Sequence, residues 1–185
     1  MKPADRLHER FLVQQFQRGN SEAFLKLVQA YEKRLLYYLR RFERDPERAL
    51  DALQEVWLTA WKTRISLRSP VAFRAWIYGI AHGKLIDAIR AETRFRLTEQ
   101  QRGREAPAAI SPVGESLESA ELVHFALSRI SPEHREVLTL RFIEDMTISE
   151  IAAVIDCPEG TVKSRLHYAR QEILSVIEEQ DNADK

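Results

Sequence analysis

The chain has 185 residues, 44% hydrophobic and 30% charged, a composition that suits a soluble protein of one medium domain or two small ones. Its formal net charge of zero argues against a nucleic-acid partner only until the distribution is read: residues 1–96 hold 19 Lys and Arg against 11 Asp and Glu, and residues 116–185 hold 7 against 14. A single cysteine, Cys157, excludes an intrachain disulfide framework, and the five histidines show no metal-ligand spacing with it, so neither a metal nor a cofactor is expected. No apolar run is long enough to span a bilayer and the opening MKPADRLHER lacks the apolar core of a signal peptide, which predicts a cytoplasmic protein without a membrane partner.

Residues 7–18 and 21–42 read as two helices broken at Gly19-Asn20, with Ser21 as N-cap and Phe24, Leu27, Val28, Tyr31, Leu35 and Leu39 as the buried stripe of the second. Both read as packing elements, and Arg34, Arg40 and Arg41 as solvated cations. Asp45-Pro46, an N-cap followed by proline at the first helical position, opens a third helix, PERALDALQEVWLTAWKTR. Its faces separate: Leu53, Val56, Trp57, Ala60 and Trp61 inward; Asp51, Gln54, Glu55, Leu58 and Lys62 outward. Leu58 is then an apolar knob among acidic and amide groups, either a scattered surface leucine or part of an interface.

After the basic, hydroxyl-rich TRISLRS, a fourth helix starts at Ser69-Pro70 with Phe73, Trp76, Ile77, Ile80, Ala81, Leu85 and Ala88 as its core stripe. Arg68, Arg74, Lys84, Arg90, Arg94 and Arg96 interleave with aromatics, the combination that holds single-stranded nucleic acid through base stacking and phosphate pairing. Periodicity favours core for Phe73 and Trp76, which leaves Tyr78 and the preceding loop as the better candidates for base contact. Residues 97–115, with two Gly, two Pro and no apolar periodicity, read as a linker between two domains. Beyond it, Ser116 caps a helix with Val123, Ala126, Leu127 and Ile130 inward, and Ser131-Pro132 opens another through Phe142.

Thr147 followed by Glu150 is a capping box for a helix from about Ile148 to Asp156, and Cys157-Pro158 restarts the chain into a second with Val162, Leu166, Ala169 and Ile173 inward. Its opposite face carries Gly160, Ser164, His167 and Gln171, flanked by Thr161, Lys163 and Tyr168. Two short helices with a tight turn read as a helix-turn-helix, whose second helix meets base edges near its N-terminus and phosphates on its flanks, where Lys163 and Arg165 suit. No Gly-rich phosphate loop, paired catalytic carboxylates or nucleophile–base constellation is present, so no catalytic residue is assigned and an enzyme is not expected.

Three segments carry a resemblance. EIAAVIDCPEGTVKSRLHYAR resembles the C-terminal helix-turn-helix of extracytoplasmic-function (ECF) sigma factors, the sigma-70-type subunits of RNA polymerase, and its GTVKSR run is quite specific for them. DALQEVWL resembles their D-x-x-Q-E-V-F segment, and Phe73, Arg74, Trp76, Ile80, Ala81, Asp87 and Arg90 match their F-R-x-W-L-x-x-I-A-x-N-x-x-x-D-x-x-R pattern. Gly83 replaces the family's asparagine and Gly79 a usually basic residue, so the asparagine contact is not carried over.

The resemblance implies an all-α fold of two small domains: a region 2-like domain at 1–96 for core polymerase and the minus-ten promoter element, a linker at 97–115, and a region 4-like domain at 116–185 for the minus-thirty-five element. It implies core-polymerase contacts by Asp51, Gln54, Glu55 and Leu58. Minus-ten DNA contacts fall to Ser66, Arg68, Arg74, Trp76, Tyr78, Lys84 and Arg90, and minus-thirty-five contacts to Thr161, Lys163, Ser164, Arg165, His167 and Tyr168. The implied partners are core RNA polymerase (β′ clamp helices and β flap), promoter DNA and an anti-sigma factor. The alternatives are a helix-turn-helix regulator with an N-terminal sensing or dimerisation domain, which has no need for the DALQEV face beside a basic, aromatic fourth helix, and a protein-binding module that titrates a partner, which binding of core polymerase without promoter-specific initiation would support.

Overall fold

The computed structural model describes residues 3–43, 45–101, 126–127 and 129–183. Every regular element among them is helical: α1 Pro3–Gln17, α2 Ser21–Arg40, α3 Pro46–Thr63, α4 Phe73–Gln101, α5 Pro132–Leu138, α6 Ile148–Val154 and α7 Glu159–Ala183. Short 3-10 turns occupy Arg64–Ser66 and Pro70–Ala72, and a π-turn Thr139–Ile143. The chain divides into two compact units, Met1–Ile89 with Ser149–Asp156, and Arg90–Ile148 with Cys157–Lys185. The first five residues of the expected linker, 97–101, continue α4; the rest of it, Ser116 and Val123 lie outside the described residues.

In the first unit the helix boundaries follow local chemistry. Gly19, at φ +86, takes the left-handed conformation that ends α1 and donates to the Phe16 carbonyl at 2.8 Å. Asn20, not Ser21, caps α2: its backbone is extended and its side chain accepts from the Ala23 N–H at 3.0 Å, which leaves Ser21 as the first helical residue. Asp45 caps α3 as the sequence indicates, accepting from Glu47 N–H at 2.9 Å. The proline expected to start α4 makes a 3-10 turn first, so the α-helix begins at Phe73.

The core of this unit is aromatic. Phe16, fully buried, stacks on Phe24 of α2 at 5.4 Å, meets Phe73 of α4 edge-on at 6.2 Å, and lies 6.1 and 6.4 Å from Trp61 of α3 and Trp76 of α4. Phe24 in turn touches Trp57 and Trp61 at 5.8 and 5.0 Å. Around this cluster Leu27, Leu35, Tyr38 and Leu39 of α2 and Ala49, Val56 and Ala60 of α3 are buried. Phe24, Val28 and Trp61, expected in the stripes, are half-buried at their edges.

In the second unit α5 packs on α7. Ser131 caps α5, accepting from His134 N–H at 3.3 Å, with Pro132 at the first helical position. Glu172 of α7 closes the same end, accepting from Ser131 N–H at 3.3 Å and pairing with His134 Nδ1. Arg135 donates to the carbonyls of Leu127 and Ile130 at 2.7 and 3.2 Å, tying the preceding segment down. The helix expected through Phe142 widens at Thr139 into the π-turn, which Glu144 closes by donating its N–H to Thr139 at 3.0 Å. Val137, Leu140, Met146, Val162 and Ala169 form the core here.

Because Phe16 touches rings from three other helices, Phe16→Ala is expected to destabilise the protein by about 3–5 kcal/mol, the range for emptying a buried phenylalanine site. Thermal and urea melts of the full chain check this; a loss below about 1 kcal/mol would mean that the cluster closes over the gap without cost.

Candidate functional site

Four surfaces hold the residues that the sequence singles out. On α3 the faces separate, with only Trp61 at the edge of the stripe half-buried: Leu53, Val56, Trp57 and Ala60 are buried, whereas Asp51, Gln54, Glu55, Leu58 and Lys62 are exposed. Leu58 is 51% exposed, so its apolar side chain stands in solvent ringed by Asp51, Gln54 and Glu55. Glu55 also accepts from Lys84 Nζ of α4 at 3.2 Å. A surface pair of this kind stabilises by about 0–1 kcal/mol, so both groups stay available to a partner.

The loop between α3 and α4 is the second surface. Ile65, Ser66 and Arg68 are exposed, and Leu67 between them is buried. Ser66 Oγ donates to the Thr63 carbonyl at 2.7 Å, and the Arg64 guanidinium lies 4.7 Å over the Trp61 ring while donating to the Trp61 carbonyl at 2.7 Å.

The third surface, on α4, departs from expectation. Tyr78, read as a candidate for base contact, is fully buried, with its ring edge-on to Tyr38 of α2 at 5.4 Å, and is withdrawn as a DNA contact. The reason is that α4 is covered over a wider arc than one stripe: Ala75 and Tyr78 are buried beside Phe73, Ile77, Ala81 and Leu85. In compensation Trp76 and Ile80 are only half-buried and Ala88 is exposed, although periodicity placed all three in the core. Trp76 rests against Phe16 and Phe73, at 6.4 and 6.0 Å, and keeps part of its surface in solvent. Arg74 is half-buried, and one of its guanidinium nitrogens donates to both carboxylate oxygens of Glu150, at 2.7 and 2.8 Å, within the same compact unit. Lys84 is half-buried and Arg90 exposed. Nearby, burial and the neighbouring Glu9 push the Tyr31 phenol up, so it stays neutral beneath Phe73.

The fourth surface is α7. It follows α6 after a four-residue turn in which Asp156 is left-handed, at φ +48, and the Pro158 carbonyl accepts the first helical bonds, from Thr161 and Val162 N–H at 2.9 and 3.2 Å. Val162, Leu166 and Ala169 are buried; Gly160, Lys163, Ser164, His167, Tyr168 and Gln171 are exposed, and Thr161 and Arg165 are half-buried on the flanks. Ser164 Oγ donates to the Thr161 carbonyl at 3.0 Å, which leaves its lone pairs outward, and the rings of His167 and Tyr168 meet at 5.4 Å. Gly160 has open space where a Cβ would stand.

Comparison with known proteins decides between the readings. The Sigma-70 region 2 model matches residues 27–95 and the Sigma-70, region 4 model residues 126–173. The RNA polymerase sigma-H factor of Pseudomonas aeruginosa is 33% identical over 174 residues, covering 88% of this chain and 90% of that protein. The chain belongs to the extracytoplasmic-function group of sigma-70-type sigma factors. The ECF RNA polymerase sigma-E factor of Escherichia coli K12 is 27% identical over 181 residues, 92% of this chain and 94% of that one. The fold matches that of the sigma factor RpoE of Bartonella quintana, solved with the anti-sigma factor NepR, at a TM-score of 0.68 and 23% identity over 84% of this chain and 96% of the other. This sigma factor therefore binds core RNA polymerase and promoter DNA and directs transcription initiation. Sigma factors as a class regulate transcription rather than catalyse it. Among the described residues no helix is long and apolar enough to cross a membrane.

A Cβ at Gly83 meets nothing within 4 Å, and one at Gly79 only an ordinary contact at 3.8 Å, so neither glycine is forced by close packing. Gly83→Ala is expected to stabilise the protein by about 0.4–1 kcal/mol through the unfolded chain's lost freedom. Thermal melts check the sign, and promoter opening by the reconstituted holoenzyme shows whether the open space at Gly83 is used by DNA: a stabilised variant with unimpaired opening assigns the glycine no role.

Proposed function

We propose that this sigma factor docks on the β′ clamp helices through Asp51, Gln54, Glu55 and Leu58, reads the minus-ten element with the 64–69 loop and the open side of α4, and reads the minus-thirty-five element with α7. The observation that carries the reading is the outward face of α3: a half-exposed leucine inside an acidic and amide ring, on a helix whose other face buries Leu53, Val56, Trp57 and Ala60 in the core. Ser66, Arg68, Trp76, Lys84 and Arg90 form the minus-ten surface, with Arg74 behind it. Thr161, Lys163, Ser164, Arg165, His167 and Tyr168 form the minus-thirty-five surface. Residues 1–96 and 116–185 act as the two DNA-reading domains, joined through 97–115, and the second also engages the β flap. The protein works in the cytoplasm, has no catalytic role of its own, and is held inactive by an anti-sigma factor, as the solved complex of its Bartonella relative supports.

Docking is tested by Asp51→Ala with Leu58→Ala. Both side chains are exposed, so stability should move by no more than about 0.5 kcal/mol, while affinity for core polymerase falls about fivefold or more, the scale of losing an interface anchor. A double variant that melts normally and still binds core at wild-type strength removes the docking assignment.

On α7, phosphate and base contacts should fail differently. Lys163→Ala is expected to weaken binding to all promoters and to lower the salt slope by about one unit, whereas Ser164→Ala or His167→Ala costs about 1–3 kcal/mol at one base pair and relaxes preference there. Selection by holoenzyme from a randomised minus-thirty-five library distinguishes them; unchanged preference in both outward-face variants would show that this helix is not the reader.

A further inference from the structure

The loop proposed to read the minus-ten element is held in shape from outside itself. Helix α1 lies N-terminal to the region 2 match and carries none of the DNA contacts assigned above. It packs against both 3-10 turns that flank the loop. The Gln17 side-chain amide, near its C-terminal end, donates to the Leu67 carbonyl at 2.6 Å across 50 residues of sequence. Because the partner is a carbonyl, which only accepts, the amide must present its NH2 group there.

That bond lies between the two exposed loop residues, Ser66 and Arg68. Leu67 has extended backbone, φ −67 and ψ 107, at the end of the Arg64–Ser66 turn, and its N–H reaches back to the Arg64 carbonyl at 3.4 Å. Leu67 is the residue at which the chain leaves the 3-10 turn. With Leu67 buried at 3% exposure, Ser66 and Arg68 are turned to solvent together. Pinning the Leu67 carbonyl holds the peptide that leads into Arg68 and anchors the end of the turn that carries Ser66, whose hydroxyl is held in addition by the Thr63 carbonyl. The end of α1 touches the start of the loop as well: an Arg64 guanidinium nitrogen lies 3.6 Å from where a Cβ on Gly19 would stand.

We infer that Gln17 is a positioning residue for minus-ten recognition: through the Leu67 carbonyl it sets the orientation of Ser66 and Arg68 and so contributes to promoter choice without touching DNA. This rests on the reading of the 64–69 loop given above. A merely structural glutamine would change the melting temperature alone. A positioning one changes which minus-ten sequences are preferred.

The test is selection by full-length holoenzyme from a promoter library randomised at the minus-ten element and, separately, at the minus-thirty-five element, alongside core binding and thermal melts. Gln17→Met keeps the length and loses the donor; Gln17→Lys restores an N–H donor of similar reach. Gln17→Met should flatten minus-ten preference by about 2- to 12-fold, the range that the net worth of one intramolecular hydrogen bond allows. Core binding and minus-thirty-five preference should stay at wild-type values, and Gln17→Lys should recover most of the lost preference. Ser66→Ala and Arg68→Ala serve as loop controls. If they alter minus-ten preference and Gln17→Met does not, the positioning role is overturned while the loop reading stands. If Gln17→Met weakens core binding and both preferences together, the residue is structural and the inference fails. If the loop controls leave minus-ten preference intact, the loop reading falls and the inference falls with it.

Discussion

The Phe16 ring is the contact on which the first unit depends. It is the point where α1 meets α2, α3 and α4 at once, through Phe24, Trp61, Phe73 and Trp76. Aromatic pairs at these separations each stabilise by about 0.5–1.5 kcal/mol beyond the area that they bury. More important than the sum is the geometry: four helices sharing one ring cannot rotate independently. The rotation of α3 that buries Trp57 turns Asp51, Gln54 and Leu58 outward, and the rotation of α4 that buries Phe73 leaves one side of Trp76 in solvent. The exposed faces of α3 and α4 are what remains outside once the aromatic cluster is satisfied.

How much of this was legible in the sequence follows from how many neighbours each helix has. Helix α3 is covered on one side, so its 3.6-residue period separated core from surface except at the half-buried Trp61, and on α7 the inward Val162, Leu166 and Ala169 are buried while Ile173 is half-buried. Helix α4 is covered over a wider arc, and there a single stripe misplaced Tyr78, Trp76, Ile80 and Ala88. A tyrosine flanked by cations reads as a base-stacking group only if its side of the helix is open; Tyr38, forty residues earlier, closes it. The contacts of Gln17 with Leu67 and of Arg74 with Glu150 span 50 and 76 residues, and no local pattern announces them. Glu150 was legible only as a capping residue, and Gln17 only as the end of a helix.

Turn chemistry shows the same limit on a smaller scale. Asp45-Pro46 and Ser131-Pro132 were unambiguous, because proline at the first helical position leaves one place for the cap. Asn20-Ser21 offers two good caps in succession, and the left-handed Gly19 decides for the first by ending α1 immediately before it. The π-turn at Thr139–Ile143 has no proline or glycine to mark it; it becomes intelligible only with Arg141 donating to the Met146 carbonyl at 2.7 Å and Phe142 exposed beneath the Arg170 guanidinium.

The uneven charge bears on how the two proposed reading surfaces share their work. Residues 116–185 carry 14 acidic against 7 basic groups, so phosphate attraction over this half is left to few cations, among them the exposed Lys163 and Arg170 and the half-buried Arg165 of α7. Such a face discriminates among sequences better than it holds DNA, because base-edge contacts act at short range while the net repulsion applies to every phosphate. Residues 1–96, with 19 basic against 11 acidic groups, have the opposite balance. Tethering a weak, selective reader to a basic one raises the effective concentration of promoter seen by the weak reader without any new contact. On the proposed assignment, selectivity at the minus-thirty-five element is expected to be expressed in the assembled holoenzyme, where the basic first half and the polymerase also hold the DNA.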